Sequence, residues 1–319
     1  MTGEYMPRRA NVSKPRGKGA LKTFRQNRSL LTLGLPGMLS LFLFAYLPMF
    51  GIFVAFKDIN YAKGLMRSDW VGFKNFRFFF RSQDALRITR NTLLYNVAFI
   101  IVGIALAVML SMLMYELSAK YVKIFQTVLF VPYFLSWVVV GYIAYIFFNP
   151  VAGLVNKLLG AFGLPKPSWY IERSAWPFVI MFFYLWKNLG YNTIIFYTGL
   201  MSVDSSMFEA AAIDGANRWQ LRMYILIPML RPLISIMAML AVGRIMYADF
   251  GLFYFIPRDT GMLYRVTDVI DTYVYRALRV SPELGMSSAA ALYQSVVGCL
   301  LVLCVNGLLR RFSPDDSLF

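Results

Sequence analysis

The sequence predicts an all-α polytopic membrane protein with six transmembrane helices, and three observations carry that prediction. Of 319 residues, 59% are hydrophobic and 15% charged, whereas a soluble domain is about one quarter charged; the mean hydropathy is +0.57. Six separate stretches, at about 30–56, 92–115, 125–148, 176–200, 223–247 and 286–309, each supply the roughly 20 apolar residues a helix needs to cross the hydrocarbon core. The net charge of +16 sits mostly in the flanks and loops of these stretches, where anionic headgroups attract it. It does not suggest a nucleic-acid partner.

Taken in order, the chain opens with a basic arm, residues 1–29. Eight Lys/Arg (Arg8, Arg9, Lys14, Arg16, Lys18, Lys22, Arg25, Arg28) stand there against Glu4. The excess of positive charge places the arm in the cytoplasm, and an even number of spans returns the C terminus to the same side. The loop 57–91, with eight Lys/Arg against three Asp, argues the other way. The first stretch is long, starts late and has no A-x-A-like site after it, so it is expected to remain a span of the domain 30–319 and not to be cleaved as a signal peptide. In this topology 57–91, 149–175 and 248–285 lie outside, and 116–124, 201–222 and 310–319 inside. Long outer loops suit a partner or substrate arriving from outside; they would equally cap the bundle. "DWVGFKNFRFFFRS" alternates rings and basic groups, as an interfacial helix does, or a contact site. Loop 149–175 opens with Asn-Pro and closes with Gly and Pro, which predicts one short amphipathic helix between turns. Cys299 and Cys304 point apart on a helix and read as apolar fillers, not a disulfide.

Several chemistries are missing. The chain has no histidine, no G-x-x-x-x-G-K-[ST] phosphate loop, no Cys/His cluster, no nucleophile elbow and no close carboxylate pair within a span. No metal or cofactor is expected, and the chain is not expected to be an enzyme. Transport remains. The spans hold almost no Asp or Glu for coupling to an ion gradient, which favours a motor supplied by a partner over an ion-coupled carrier.

One inner loop interrupts the apolar sequence with "FEAAAIDGANRWQLRMYILIP", residues 208–228. Glu209 is expected to start a short helix through Ala210, Ala211 and Ala212. Asp214-Gly215 then breaks it, and a second short helix runs through Trp219 to Pro228, the first turn of the next span. Small alanines allow close approach to another surface, and an exposed Trp219 suits a partner's pocket. An ordinary amphipathic re-entry helix has the same pattern.

These residues resemble the EAA loop of ABC importer permeases, whose pattern is E-A-A-x-x-x-G-A followed by I-x-L-P. Glu209, Ala210, Ala211, Gly215, Ala216, Ile225 and Pro228 match, and Ile227 replaces a leucine. Arg222 stands where the family often has an aromatic or apolar residue, and would face a carboxylate on the partner. "YLPMFGIFVAFKDIN", "WVGFKNF", "NTLLYN", "VPYFLSWVVV", "WKNLGYNTIIFYTGL" and "DVIDTYVYR" are similar to permeases for oligosaccharides and polysaccharide fragments, and the likeness covers roughly residues 30–312. The resemblance implies a type I ABC importer-like permease fold and a second homologous permease chain. It also implies two cytoplasmic ATPase subunits, which hold the ATP and Mg, and an extracytoplasmic solute-binding protein. By the same resemblance Glu209, Ala210, Ala211, Asp214, Gly215 and Ala216 carry the ATPase contact, with Trp219 and Arg222 beside them.

On the fourth span Tyr184, Lys187, Asn188 and Tyr191 share one helical face. A charge near mid-span is costly and normally faces a cavity or a partner, so this face is expected either to line the translocation path or to pair Lys187 between helices. Tyr133, Ser136 and Trp137 on the third span are lesser candidates. Arg244, near the outer end of the fifth span, would either join the path or snorkel outward. Lys187 and Arg244 together would favour an acidic sugar, such as a uronate oligomer. Pro132 and Pro228 are expected to bend or start helices.

Overall fold

The computed structural model describes residues 28–81, 83–280 and 284–312. The basic arm lies outside the described residues except for its last two. The chain divides into two units, Met1–Ile52 and Phe53–Phe319. In the first, helix α1 (Arg28–Leu41) runs into a π turn, Phe42–Tyr46, and a 3-10 segment that starts at Leu47. Together these form the first membrane-length helix, Leu31–Phe56.

The second unit is helical apart from a two-residue antiparallel pair, Lys57–Asp58 with Asp69–Trp70. Helix α2 (Lys74–Arg81) carries three basic residues and four phenylalanines of loop 57–91, and near it Phe56 stacks on Trp70 at 5.8 Å and meets Phe73 edge-on at 5.4 Å. Then follow α3 (Gln83–Tyr115), α4 (Ala119–Phe130), α5 (Trp137–Phe148), α6 (Leu154–Ala161), α7 (Trp176–Met201), α8 (Ser205–Ile213), α9 (Arg218–Leu221), α10 (Ile227–Val242), α11 (Phe250–Phe255), α12 (Ile270–Val280) and α13 (Leu284–Phe312). α6 is the short helix expected between the turns of loop 149–175.

By length and apolarity, four helices among the described residues can cross a membrane: Leu31–Phe56, Asp84–Tyr115, Arg218–Val242 and Leu284–Gly307. The bent pair α4–α5 makes a fifth if counted as one span. α7 is 26 residues long and carries Lys187, Asn188 and Asn192 near its middle; it is not among these four.

Three expected spans take a different form. The third is not one rod over 125–148; it starts at Ala119 and turns through 98° between Phe134 and Trp137. Pro132 lacks the N–H that would continue the helix, a 3-10 turn covers Val131–Phe134, and Leu135 and Ser136 are extended. The second begins at Gln83, ahead of the expected 92, because Ala85, Ile88 and Thr92 bury one stripe against protein and not lipid. The fifth is displaced toward the N terminus. It runs from Arg218, through a π turn at Arg222–Leu226, to Val242; Pro228 lies within this run, in the first turn of α10. α3 and α7 form the spine of the unit. One cluster of buried side chains (Trp176, Ile180, Phe183, Leu252, Ile256, Leu263) packs at one end of α7, and another (Met112, Phe196, Leu200, Leu226, Leu230) at the other.

Candidate functional site

Two sites along α7 hold the residues singled out from the sequence. The first is the loop beyond its C-terminal end. α8 begins at Ser205, four residues before the expected Glu209. Asp204 accepts from the Ser206 N–H at 3.0 Å, and that backbone bond holds its carboxyl below the ordinary value. α8 ends where Gly215 takes φ +74°, a left-handed position that glycine occupies without a Cβ clash. The Ala216 N–H then reaches back to the Ala211 carbonyl at 3.0 Å and caps the helix end. Two residues on, Asn217 starts α9 with a reciprocal capping box: the Asn217 side chain accepts from Gln220 N and the Gln220 side chain from Asn217 N, both at 2.8 Å. Stop and start signals therefore fix the turn between the two short helices.

Within this loop Glu209, Ala210, Asp214 and Trp219 are exposed, Ala216 is half-buried and Ala211 is buried. Trp219 is 63% exposed and Ile213 86%, an apolar pair that water alone would not favour. Phe208 lies 5.3 Å from the Tyr115 ring and pins the loop to α3. Arg222 does not wait for a carboxylate on a partner. Its Nε and a terminal nitrogen donate to both oxygens of Glu116 at 2.7 and 2.8 Å, a fork-to-fork pair within this chain, and Arg218 stands 3.7 Å from the same carboxylate. Glu116 follows the last residue of α3 and was not foreseen. Nothing local ties residue 116 to 222; only the approach of the two helices does.

The second site is the break in the third span. Ending α4 at a proline releases backbone carbonyls into an apolar setting, where an unsatisfied acceptor is costly. Lys187, buried on α7, supplies the donors: its Nζ donates to the Leu135 carbonyl at 2.5 Å and the Tyr133 carbonyl at 2.7 Å, with Pro132 O at 3.5 Å. Its ammonium also lies 5.3 Å from the Trp137 ring and 5.6 Å from Tyr133. The reach is short because α7 crosses α4 almost in backbone contact. A Cβ on Gly190 would fall 1.9 Å from the Leu129 carbonyl oxygen, so only glycine fits there.

Around this cation the structure gathers Tyr133 and Tyr191, stacked at 4.8 Å, and Trp137, whose Nε1 donates to Asp249 at 2.7 Å. Asp249 in turn caps α11 by accepting from Gly251 N at 3.1 Å. Ser136 caps α5, accepting from Val139 N. Tyr133 and Tyr191 remain partly open, 38% and 40% exposed. Tyr184 sits apart, stacked on Phe99 at 3.8 Å, and Asn188 donates to the Tyr184 carbonyl of its own helix at 2.9 Å. Arg244 is not on the fifth span. That helix ends at Val242, and Arg244 lies exposed in the following turn, without an ion pair among the described residues. Lys187 is therefore engaged in joining α7 to the helix break, and Gly190 and Asp249 complete a cluster that sequence spacing could not assemble. No group of three His, Cys, Asp or Glu able to hold a metal occurs among the described residues.

Comparison with known proteins matches this architecture. Residues 100–315 fit the family described as "Binding-protein-dependent transport system inner membrane component". The chain is similar to Protein LplB of Bacillus subtilis, 33% identical over 94% of each chain. It is also similar to the polygalacturonan/rhamnogalacturonan transport system permease protein YteP of the same organism, 29% identical over 95% of this chain and 94% of that one. Among solved structures it superimposes on a chain of a bacterial alginate ABC transporter, crystallised in complex with an alginate pentasaccharide-bound periplasmic protein. The TM-score is 0.83 and the identity 27%, over 92% of this chain and 98% of that one. The chain belongs to the family of binding-protein-dependent inner membrane components, as a multi-pass permease subunit of an ABC importer whose ATPase is a separate subunit.

Proposed function

We propose that the permease translocates an oligosaccharide or polysaccharide fragment delivered by an extracytoplasmic binding protein. It would do so as half of a heterodimer with a related permease, above two ATPase subunits. In this reading both termini are cytoplasmic, α7 is the fourth of six spans, and residues 201–222 are the coupling loop. The observation that carries it is the loop 205–222 itself: two short helices about a glycine turn, with Ile213 and Trp219 presented outward and α9 continuous with a membrane-length helix. A push on Trp219 is thereby a push on that whole helix. The polysaccharide names of YteP and of the alginate transporter support a carbohydrate substrate. For the path, the partly open Tyr133–Tyr191 stack offers ring faces and hydroxyls suited to a sugar, with Tyr184 and Asn188 further along α7.

Uptake in cells lacking the chain and complemented with Gly215→Asp tests the coupling reading. The expected result is lost uptake and an ATPase that no longer co-purifies, while the permease still reaches the membrane. Undiminished uptake with no ATPase bound would mean an ion-coupled carrier.

A further inference from the structure

An acidic sugar needs a cation free to meet it, and Lys187 is taken up by carbonyls. Another cation is free. After α11 the chain reverses at Pro257–Thr260, with Arg258 at φ +57° and Asp259 at φ +46°. Two successive non-glycine residues in the left-handed region persist only where their surroundings hold them there. The turn stacks the Arg258 guanidinium on the Tyr145 ring, 4.0 Å from its centroid. Arg258 has no ion pair among the described residues. Its neighbour Asp259 cannot neutralise it, because Asp259 pairs with Arg276 at 2.8 Å and accepts from the Tyr264 hydroxyl at 3.1 Å.

Arg258 lines a recess of about 230 Å³ together with Tyr142, Tyr145, Tyr254, Phe255 and Asp259, whose carboxylate is already paired with Arg276. The volume suits one sugar ring and not an oligomer. A guanidinium held over an aromatic ring still has N–H donors at its edge, and a guanidinium can take a carboxylate through two parallel bonds. Tyr142, 67% exposed, stands at the rim and offers a face to sugar C–H groups, and the tyrosine hydroxyls serve sugar hydroxyls. In the proposed orientation α5 and the 248–285 loop are on the outer side, where a binding protein would release its cargo.

We propose that this recess is an outer subsite for a uronate residue, its carboxylate held by Arg258 and its ring between Tyr142 and Tyr254. The proposal rests on the carbohydrate reading above. The test is uptake by cells carrying the whole transporter, offered galacturonate and mannuronate trisaccharides as free acids, their methyl esters, and neutral trisaccharides. Arg258→Gln is expected to lower uptake of a free acid about 10- to 100-fold, the range for losing a bond to a charged group, and to leave its ester unchanged, with Arg258→Lys in between. Tyr142→Ala, at an exposed position that folding does not need, is expected to lower acid and ester together, several-fold. Equal loss of acid and ester in Arg258→Gln, or no loss in either variant, overturns the subsite alone. Wild-type uptake of neutral sugars only overturns the subsite and leaves the carbohydrate reading standing. Uptake of none of them overturns both.

Discussion

Lys187 and Arg222 are both cations that join one helix to another, yet their surroundings give them different work. Lys187 is 8% exposed and donates to backbone carbonyls at a broken helix. Its partners are backbone acceptors that stay where the broken helix puts them. Arg222 keeps 23% of its side chain exposed and pairs with Glu116, 20% exposed. Water can solvate both groups if they part. A buried, unreplaceable donor stabilises the fold, whereas a solvated pair contributes little stability and is free to open and close. The first suits a fixed joint and the second a movable latch.

The contrast breaks most visibly at the first joint. Lys187→Met removes the donor and strands the Tyr133 and Leu135 carbonyls, a loss of about 1–3 kcal/mol for each unsatisfied acceptor. Thermal unfolding of the detergent-purified complex should show it, and an unchanged midpoint would refute the joint. Gly190→Ala attacks the same crossing sterically and should cost about 1–3 kcal/mol, the range for overpacking; Gly199→Ala, where a Cβ meets only leucine side chains, should cost less. At the latch the order of effects reverses. Glu116→Gln should lower stability by at most about 1 kcal/mol while uptake falls far more, and the exchange Glu116→Arg with Arg222→Glu should restore part of the uptake. Equal losses of stability and uptake would make the latch merely structural.

The smallest expected effect concerns Asp271, outside the spans. Burial raises its pKa even though the Ala248 N–H at 2.8 Å and Gln294 at 3.1 Å favour the charged form. A carboxyl with a raised folded-state pKa is protonated more readily in the folded protein. Its contribution is therefore fully present below the ordinary aspartate range and is lost as pH rises through the raised value. Melting temperature followed against pH should fall across that window in wild type and less so in Asp271→Asn.

The two short helices of residues 205–221 were legible because their signals are local. Gly215 and the Asn217–Gln220 pair stop and start helices by contacts within a few residues, and the apolar runs declare themselves by composition. The loop's start at Ser205, the span's start at Arg218 and the entry of α3 at Gln83 were misjudged. There helices continue through polar residues whose partners are other helices, and a hydropathy window counts such residues against a span. The face of α7 stands out in the sequence, but only the tertiary structure decides between the two readings of Lys187: its donors join helices.

By itself, then, the sequence determined the membrane class, the order of most helices and the EAA loop, because apolar length, caps and turn residues act over a few positions. Tertiary structure alone decided where the charges went. That Lys187 would meet the carbonyls of Leu135 and Tyr133, Arg222 the carboxylate of Glu116, and Arg258 the ring of Tyr145 depends on the approach of segments 52, 106 and 113 residues apart. In an apolar setting the identity of a cation's partner sets its energy, and no spacing within one helix contains that partner.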